Sequence, residues 1–461
     1  MPKFKELNPF VLLCAIILLM AALSYVIPAG KYERVQEPQS KRTIVVPGSF
    51  TYTERSPVPV ADIFLSIPKG MVAAAVIIFG IFLGAGAFRV LEDIGTVNAS
   101  IYALVKKVRG SEVWMIPIVM LAFALAGALA SMANAVIVFI PLGLVIARSL
   151  KFDPIVGLGL TYLGCYAGFN TSPVVPTSVG IAHQIGQIPI FSGAVVRSAV
   201  CLSTVLVAIL YVARYAARTR KNPARSLVAD LNIHYDFDIN LEASRPMNKR
   251  DWGVLLVTAL SIAAIVYGSV QFQWDLLEIA AVFVAMGIVT GIVGGFGPNR
   301  IATSFMKGMS GITGGALITG FAYAIQYVLQ KGMIMDTIIH ALSQLLVGLP
   351  IYLAAIGMYV ANCFTALLIT SGSGQAAAVM PIMFPIGDLI GLTRQVSTQA
   401  FLFADGFMNG ISPASGVLMA CLGIAKVPFG RWVRFYFPLF GLWSLIAVVT
   451  LVLGIKFHWG P

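Results

Sequence analysis

Four polar interruptions stand in a chain that is otherwise nearly continuous apolar sequence. "ALASMANAVIVFIP" holds Ser131 and Asn134, and "GFNTSPVVPTSVG" holds Asn170, Thr171 and Ser172. "TSGSGQAAAVMP" holds Ser371, Gly372, Ser373, Gly374 and Gln375, and "GFMNGISPASG" holds Asn409 and Ser412. Such residues offer hydroxyls, amides and bare backbone, which bind a polar solute by hydrogen bonds rather than attack it. Gly is costly inside a helix and Ser competes for backbone hydrogen bonds, so regular helix is expected to stop at each stretch. The second member of each pair contains Ser-Pro, and proline removes a donor and clashes with the preceding turn. Amides freed at half-helix starts attract anions, and carbonyls freed at half-helix ends hold cations. Gly374 is expected at a point of close backbone approach.

Asp405, four residues before Asn409, is the one acid well inside a proposed membrane segment and so a candidate for ion coupling. It would hold sodium together with Asn409 and the carbonyls that Pro413 frees, or carry a proton; the plainer alternative is a cap on the helix break. No paired carboxylates, nucleotide-binding loop, His-Cys cluster or Ser-His-Asp arrangement accompanies it, so no enzyme, ATP-driven pump or cofactor is expected. The five cysteines lie in membrane segments at no metal spacing and read as packing residues.

Positioning these stretches is the work of helices in lipid. Of 461 residues, 58% are hydrophobic and 11% charged, with a mean hydropathy of +0.89, whereas soluble domains carry about 25% charged residues. Apolar runs of about twenty residues, enough to cross a bilayer as helix, recur throughout. The fold class is therefore an all-α polytopic membrane protein; a barrel would show short alternating segments. The net charge of +12 does not call for nucleic acid, because the basic residues flank apolar runs. The first run, after Lys3 and Lys5, reads as a retained span.

The chain also contains its own copy. Lys69-Gly70-Met71 returns as Lys307-Gly308-Met309, 238 residues later, and Val90-Leu91 returns as Val328-Leu329. Pro141 pairs with Pro381 and Pro173 with Pro413 at 240. Repeats of this size build many secondary transporters. The expected organisation is a first membrane repeat over 1–213 with a re-entrant hairpin at 113–149, and a basic cytoplasmic linker at 214–252. A second repeat follows over 253–461, with a hairpin at 350–390. With the N-terminus inside and the C-terminus outside, 21 of the 31 Lys and Arg fall on the cytoplasmic side. An extra span at 276–297 then inverts the second repeat. Arg197 and Arg434 lie near span ends, where snorkelling is expected; Asp388 and Arg394 are placed at a membrane face.

"SGSGQAAAVMPIMFPIGDLIGLTRQ" and "FADGFMNGISPASGVLMACLGIAKVPFGRWVRF" resemble the C-terminal half of the anaerobic C4-dicarboxylate carrier family, particularly its YfcC-like branch. "FLSIPKGM" and "GIAHQIGQIPIFSGAVVR" are similar to that branch's N-terminal half. The resemblance, which extends to the wider ion transporter superfamily, implies two re-entrant hairpins, two broken helices, a scaffold and a mobile transport domain. It implies an elevator-type carrier of the cytoplasmic membrane, working as a homodimer, with the hairpin tips at the substrate. The branch bears a basic amino-acid antiporter label, and its first tip commonly carries two glutamates; Ala133 and Asn134 stand here instead. The expected substrate is a small anionic or zwitterionic carboxylate, with sodium or a proton as coupling ion. An ion channel is the rival from another class.

Overall fold

The structure, a computed structural model, describes residues 8–36, 43–96, 99, 112–130, 132–173, 175–189, 192–231, 233, 246–272, 274 and 276–460. The first half contains α1 (Pro9–Val26), α2 (Val60–Ala73), α3 (Ala75–Ile94), α4 (Met115–Ala130), α5 (Ile140–Ser149), α6 (Pro154–Phe169), α7 (Ile181–Ile185) and α8 (Ala194–Lys221). The second contains α9 (Lys249–Gln271), α10 (Leu276–Val293), α11 (Pro298–Gly311), α12 (Thr313–Lys331) and α13 (Met335–Gln344). It continues through α14 (Ile351–Leu368), α15 (Gly372–Ile390), α16 (Arg394–Asn409), α17 (Gly416–Ala425) and α18 (Phe429–Lys456). Among the described residues six of these helices are long and apolar enough to cross a bilayer, and α11 with α12, bent by 46°, can be counted as a seventh span.

The repeat seen in the sequence reappears in the helix lengths. α2 and α11 are each 14 residues long and each ends one residue before a second helix begins. α8 and α18 are each 28 residues long. The paired Lys-Gly-Met motifs now have a physical reason. A Cβ on Gly70 would strike the Gly320 carbonyl oxygen of α12 and come within 2.6 Å of the Ala324 nitrogen. A Cβ on Gly308 would come within 2.5 Å of the Ala85 carbonyl oxygen of α3. Each glycine lets its helix lie backbone against backbone on a helix of the other repeat, so α2 packs on α12 and α11 on α3.

Three departures from the expected layout have local causes. The last helix of the first repeat, expected to end by residue 213, runs on to Lys221, into the stretch read as linker. Ala, Arg and Lys favour helix, and Arg218, Arg220 and Lys221 complement the negative C-terminal end, until Asn222-Pro223 stops it. The linker's start then folds back, with Ser226 Oγ 2.5 Å from Asp153 Oδ2 and Arg431 2.7 Å from Asp230. Residues 234–245 of that linker lie outside the described residues. Between α1 and α2, β1 (Gly30–Lys31) pairs with β4 (Thr51–Tyr52), and β2 (Arg34–Gln36) pairs with β3 (Thr43–Val45). This excursion is fastened to α13 by Arg34 and Asp336 at 2.6 Å and by the stacking of Phe50 on His340. Finally, Arg197 does not snorkel. It is fully buried, bonded to Gln395 and to the Ser192 carbonyl (2.6 Å) and covered by the Trp459 ring, whereas Arg434 is exposed as expected.

Candidate functional site

α16 lies at the centre of the second half, with every residue from Gln395 to Asn409 buried. Thr393 caps its start, and it stops at Asn409 because Pro413 cannot continue the ladder. α17 begins afresh at Gly416 under a Ser415 cap. The first half repeats the pattern: α6 contains a π-helical turn at Gly159–Leu163 and stops at Phe169, and a second π turn, Pro176–Gly180, leads into α7. π turns inside helices recur at functional sites.

The turn between α14 and α15, the expected tip of the second hairpin, seats on this break. Ser371 caps α15 through the Gly374 amide at 3.3 Å. Ser412 Oγ donates to the Leu367 carbonyl at 3.1 Å, and Thr370 Oγ1 to the Ala414 carbonyl at 3.5 Å. A Cβ on Gly372 would lie 2.6 Å from Asp405 Oδ2, so the tip backbone rests on the carboxylate. Asn409 Nδ2 donates to the Asp405 carbonyl at 2.8 Å and to its carboxylate at 3.2 Å. From the first half, Asn170 packs on Gly406, where a Cβ would lie 2.7 Å from the Asn170 Cα. Ser371 and Gly374 are exposed at the tip, with Gly372 and Ser373 half-buried.

Asp405, Asn409, Gly372 and Asn170 are thus brought together, with Ser371, Ser373, Gly374 and Ser412 beside them. Other candidates turn elsewhere. Thr171 bonds Thr204 at 2.8 Å, and Ser172 Oγ donates to the Ala128 carbonyl at 2.7 Å. Gln375 is buried inside its own hairpin, donating to Thr365 Oγ1 (2.8 Å) and to the Asn362 carbonyl (3.0 Å). Asn134 is exposed at the first break, where the nearby Val138 packs on Gly84 of α3. Ser131 lies outside the described residues. Close approach falls at Gly372 rather than at Gly374, where an added Cβ would meet nothing nearer than 3.4 Å.

The carbonyls expected to be free for a cation are already taken. Tyr436 donates to the Phe407 carbonyl at 2.7 Å, Tyr162 to Asn409 at 3.0 Å and the Trp432 indole to Gly410 at 2.8 Å. In the first half Thr204 and Cys201 of α8 serve the Ala167 and Gly168 carbonyls at 3.4 and 3.5 Å. A buried carbonyl without a donor is expensive in a membrane, so each 28-residue helix supplies donors to the break of its own half. Asp405 has no basic partner among the described residues. The Asn170 amide, 3% exposed, has both polar atoms without a partner.

Sequence reasoning missed Tyr162, Trp432 and Tyr436, because nothing in a lone aromatic announces which carbonyl it will reach. It also missed Gln326 of α12, whose Nε2 lies 3.2 Å from the Thr370 hydroxyl.

Residues 8–456 match the family described as "C4-dicarboxylate anaerobic carrier". An Escherichia coli (strain K12) protein named "Putative basic amino acid antiporter YfcC" is 32% identical over 391 residues, covering 82% of this chain and 77% of its own. An uncharacterized protein of Haemophilus influenzae is 27% identical over 501 residues, covering 99% and 98%. Among solved structures, the YdaH transporter of Alcanivorax borkumensis gives a TM-score of 0.42 at 19% identity, covering 99% of this chain and 100% of that one. MtrF of Neisseria gonorrhoeae, described with a class of antimetabolite efflux pumps, gives 0.42 at 19%, covering 97% and 95%. With its apolar spans and a family match along nearly its whole length, the chain is a multi-pass membrane protein and belongs to the C4-dicarboxylate anaerobic carrier family.

Proposed function

We propose that this carrier is a secondary active transporter of a small carboxylate, a dicarboxylate or an amino acid, working by an elevator-type motion as a homodimer in the cytoplasmic membrane. The observation that carries the reading is the unpartnered Asn170 amide, buried where both breaks meet Asp405 and the second tip. A buried amide left without partners is costly, and a solute bearing donors and acceptors relieves it. Asp405 is the coupling group. Because aromatic donors occupy the neighbouring carbonyls, the preferred coupling ion is a proton, with sodium as the competing outcome.

The test is a thermal-shift series on the purified protein with succinate, aspartate and arginine, followed by exchange in proteoliposomes. A ligand at a hundred times its Kd adds about 2.7 kcal/mol to the folded state. Stabilisation by succinate or aspartate with saturable exchange is the expected result. Stabilisation by arginine alone would instead support the antiporter reading that the Escherichia coli relative's name suggests, and flux that never saturates would support a channel.

The orientation follows from the charge distribution: N-terminus and linker inside, C-terminus outside. Single cysteines at Lys221 and Gly460 in a cysteine-free background should label from opposite sides of the membrane. Labelling of both from one side would overturn the inverted arrangement of the repeats.

A further inference from the structure

Two side-chain amides among the described residues are buried with neither polar atom bonded: Asn170, and Gln399 of α16. The two belong to one seam. Gln399 stands seven residues, two helical turns, before Gly406, so both lie on the face of α16 that Asn170 covers. Thr398, fully buried as well, stands in the same relation to Asp405, and its hydroxyl also lacks a partner. The π turn Pro176–Gly180 packs on both α15 and α16 and so carries the first half along this strip.

Residues of the same types elsewhere in the chain are satisfied. Thr161 and Thr290, buried in helices, return their hydroxyls to the carbonyl four residues back, at 3.1 and 2.6 Å. Thr398 does not. Gln395, one turn before Gln399, bonds Arg197 and Ser192, and Gln375 donates twice inside its hairpin. An unbonded amide beside an unbonded hydroxyl is expensive in a membrane interior, and leucine and valine would serve packing alone. The pair calls for a solute that brings donors or acceptors of its own. Charge gives that solute a direction. Arg197 is buried on Gln395, one turn beyond Gln399, and has no acidic partner among the described residues; its Nε is unbonded. Seven residues of helix set Gln399 about 10 Å from Gly406 along the axis, so a solute reaching from Asn170 to Gln399 points its end at the guanidinium. A buried cation short of a counter-ion favours an anion there.

We propose that Thr398 and Gln399 bind the anionic far end of a two-ended substrate that lies lengthwise along α16, its near end at Asn170. The proposal rests on the carboxylate-carrier reading above. Gln399 donates through its amide and Thr398 through its hydroxyl, while Arg197 acts on the same end through its charge. Both are then specificity-determining residues, and what they select is a second acidic group at the right distance from the first polar end.

The test is counterflow in proteoliposomes of labelled succinate or aspartate, whichever wild type exchanges, inhibited by the same solute and by its one-ended analogue, butyrate or 2-aminobutyrate. Gln399→Met keeps the length without either polar atom. A lost hydrogen bond to a charged group corresponds to about tenfold or more in affinity. Gln399→Met should therefore weaken the two-ended solute about tenfold and leave the one-ended analogue as it was, so that the preference between them collapses. Removing an amide that has no partner in the ligand-free protein should not lower its melting temperature. Should Gln399→Met fail to insert, Thr398→Val, which exchanges a hydroxyl for a methyl, carries the same test with the same direction of change. Wild-type affinity in these variants, or equal losses for both solutes, overturns the far-end assignment and leaves the carrier reading standing. A lower melting temperature with the preference intact makes the two residues structural and overturns it likewise. Wild-type exchange with neither succinate nor aspartate overturns the carboxylate-carrier reading, and the far-end assignment with it.

Discussion

Asp405→Asn loses gradient-driven accumulation of substrate while still exchanging substrate for substrate. The carboxylate is buried on an entirely buried helix face, with the Asn409 amide as its donor and the tip at Gly372 resting on it. A buried carboxylate in that position is compensated by a bound cation or by a proton, and the isosteric amide takes neither. Without a group that carries the coupling ion the gradient is no longer tied to substrate movement, so accumulation should fall to the level of the unenergised control. The measurement is uptake into proteoliposomes under a proton gradient without sodium, then under a sodium gradient at fixed pH. Wild type should respond to the first, because the Phe407, Asn409 and Gly410 carbonyls are engaged by Tyr436, Tyr162 and Trp432 and a proton needs no ring of oxygens. Response to sodium alone would reassign the ion. A variant that accumulates like wild type under both gradients would make Asp405 a structural acid.

Replacing Gly372 by valine should slow transport about tenfold to a hundredfold in a protein that still inserts and purifies as wild type does. Its Cβ would lie 2.6 Å from Asp405 Oδ2, inside any real contact, so the tip would be driven off its seat. Overpacking costs about 1–3 kcal/mol, which on tip seating corresponds to roughly a tenfold to hundredfold loss of rate. Gly374→Ala, two residues on, meets only ordinary contacts of 3.4 Å and should retain most activity. Equal rates in both variants and wild type would show that the tip does not close on Asp405.

These two glycines show where the sequence was legible and where it stopped. That the helix is interrupted beside Ser371 follows from local chemistry, since serine competes for backbone hydrogen bonds, although the break is confined to residues 369–371 and Gly372, Ser373, Gly374 and Gln375 form the first turn of α15. Which glycine meets the carboxylate depends on how α15 seats against α16, a tertiary fact. The repeat was readable for a similar reason. Lys-Gly-Met marks a backbone-to-backbone crossing that each half must make, so the spacing that duplicates the motif also duplicates the helix ends around Ala74 and Ile312. The donors to the broken ends were not readable, because Tyr162 and Trp432 reach Asn409 and Gly410 across 247 and 22 residues. The strands around Tyr32 and Phe50 were missed because two- and three-residue strands carry no periodicity. Nor did the hydropathy that located α8 say where it ends, since helix propensity continues past the last apolar residue.

The crossing of α2 on α12 and of α11 on α3 also bears on how the protein is made. Gly70 leaves the ribosome 250 residues before Gly320, the residue whose backbone it lies against. At about 5–20 residues per second, α2 and α3 wait on the order of 10–50 s in the bilayer with their glycine faces uncovered. In that interval the nascent first half is open to pairing with a neighbouring nascent chain, and the arrival of α11 and α12 is what closes it.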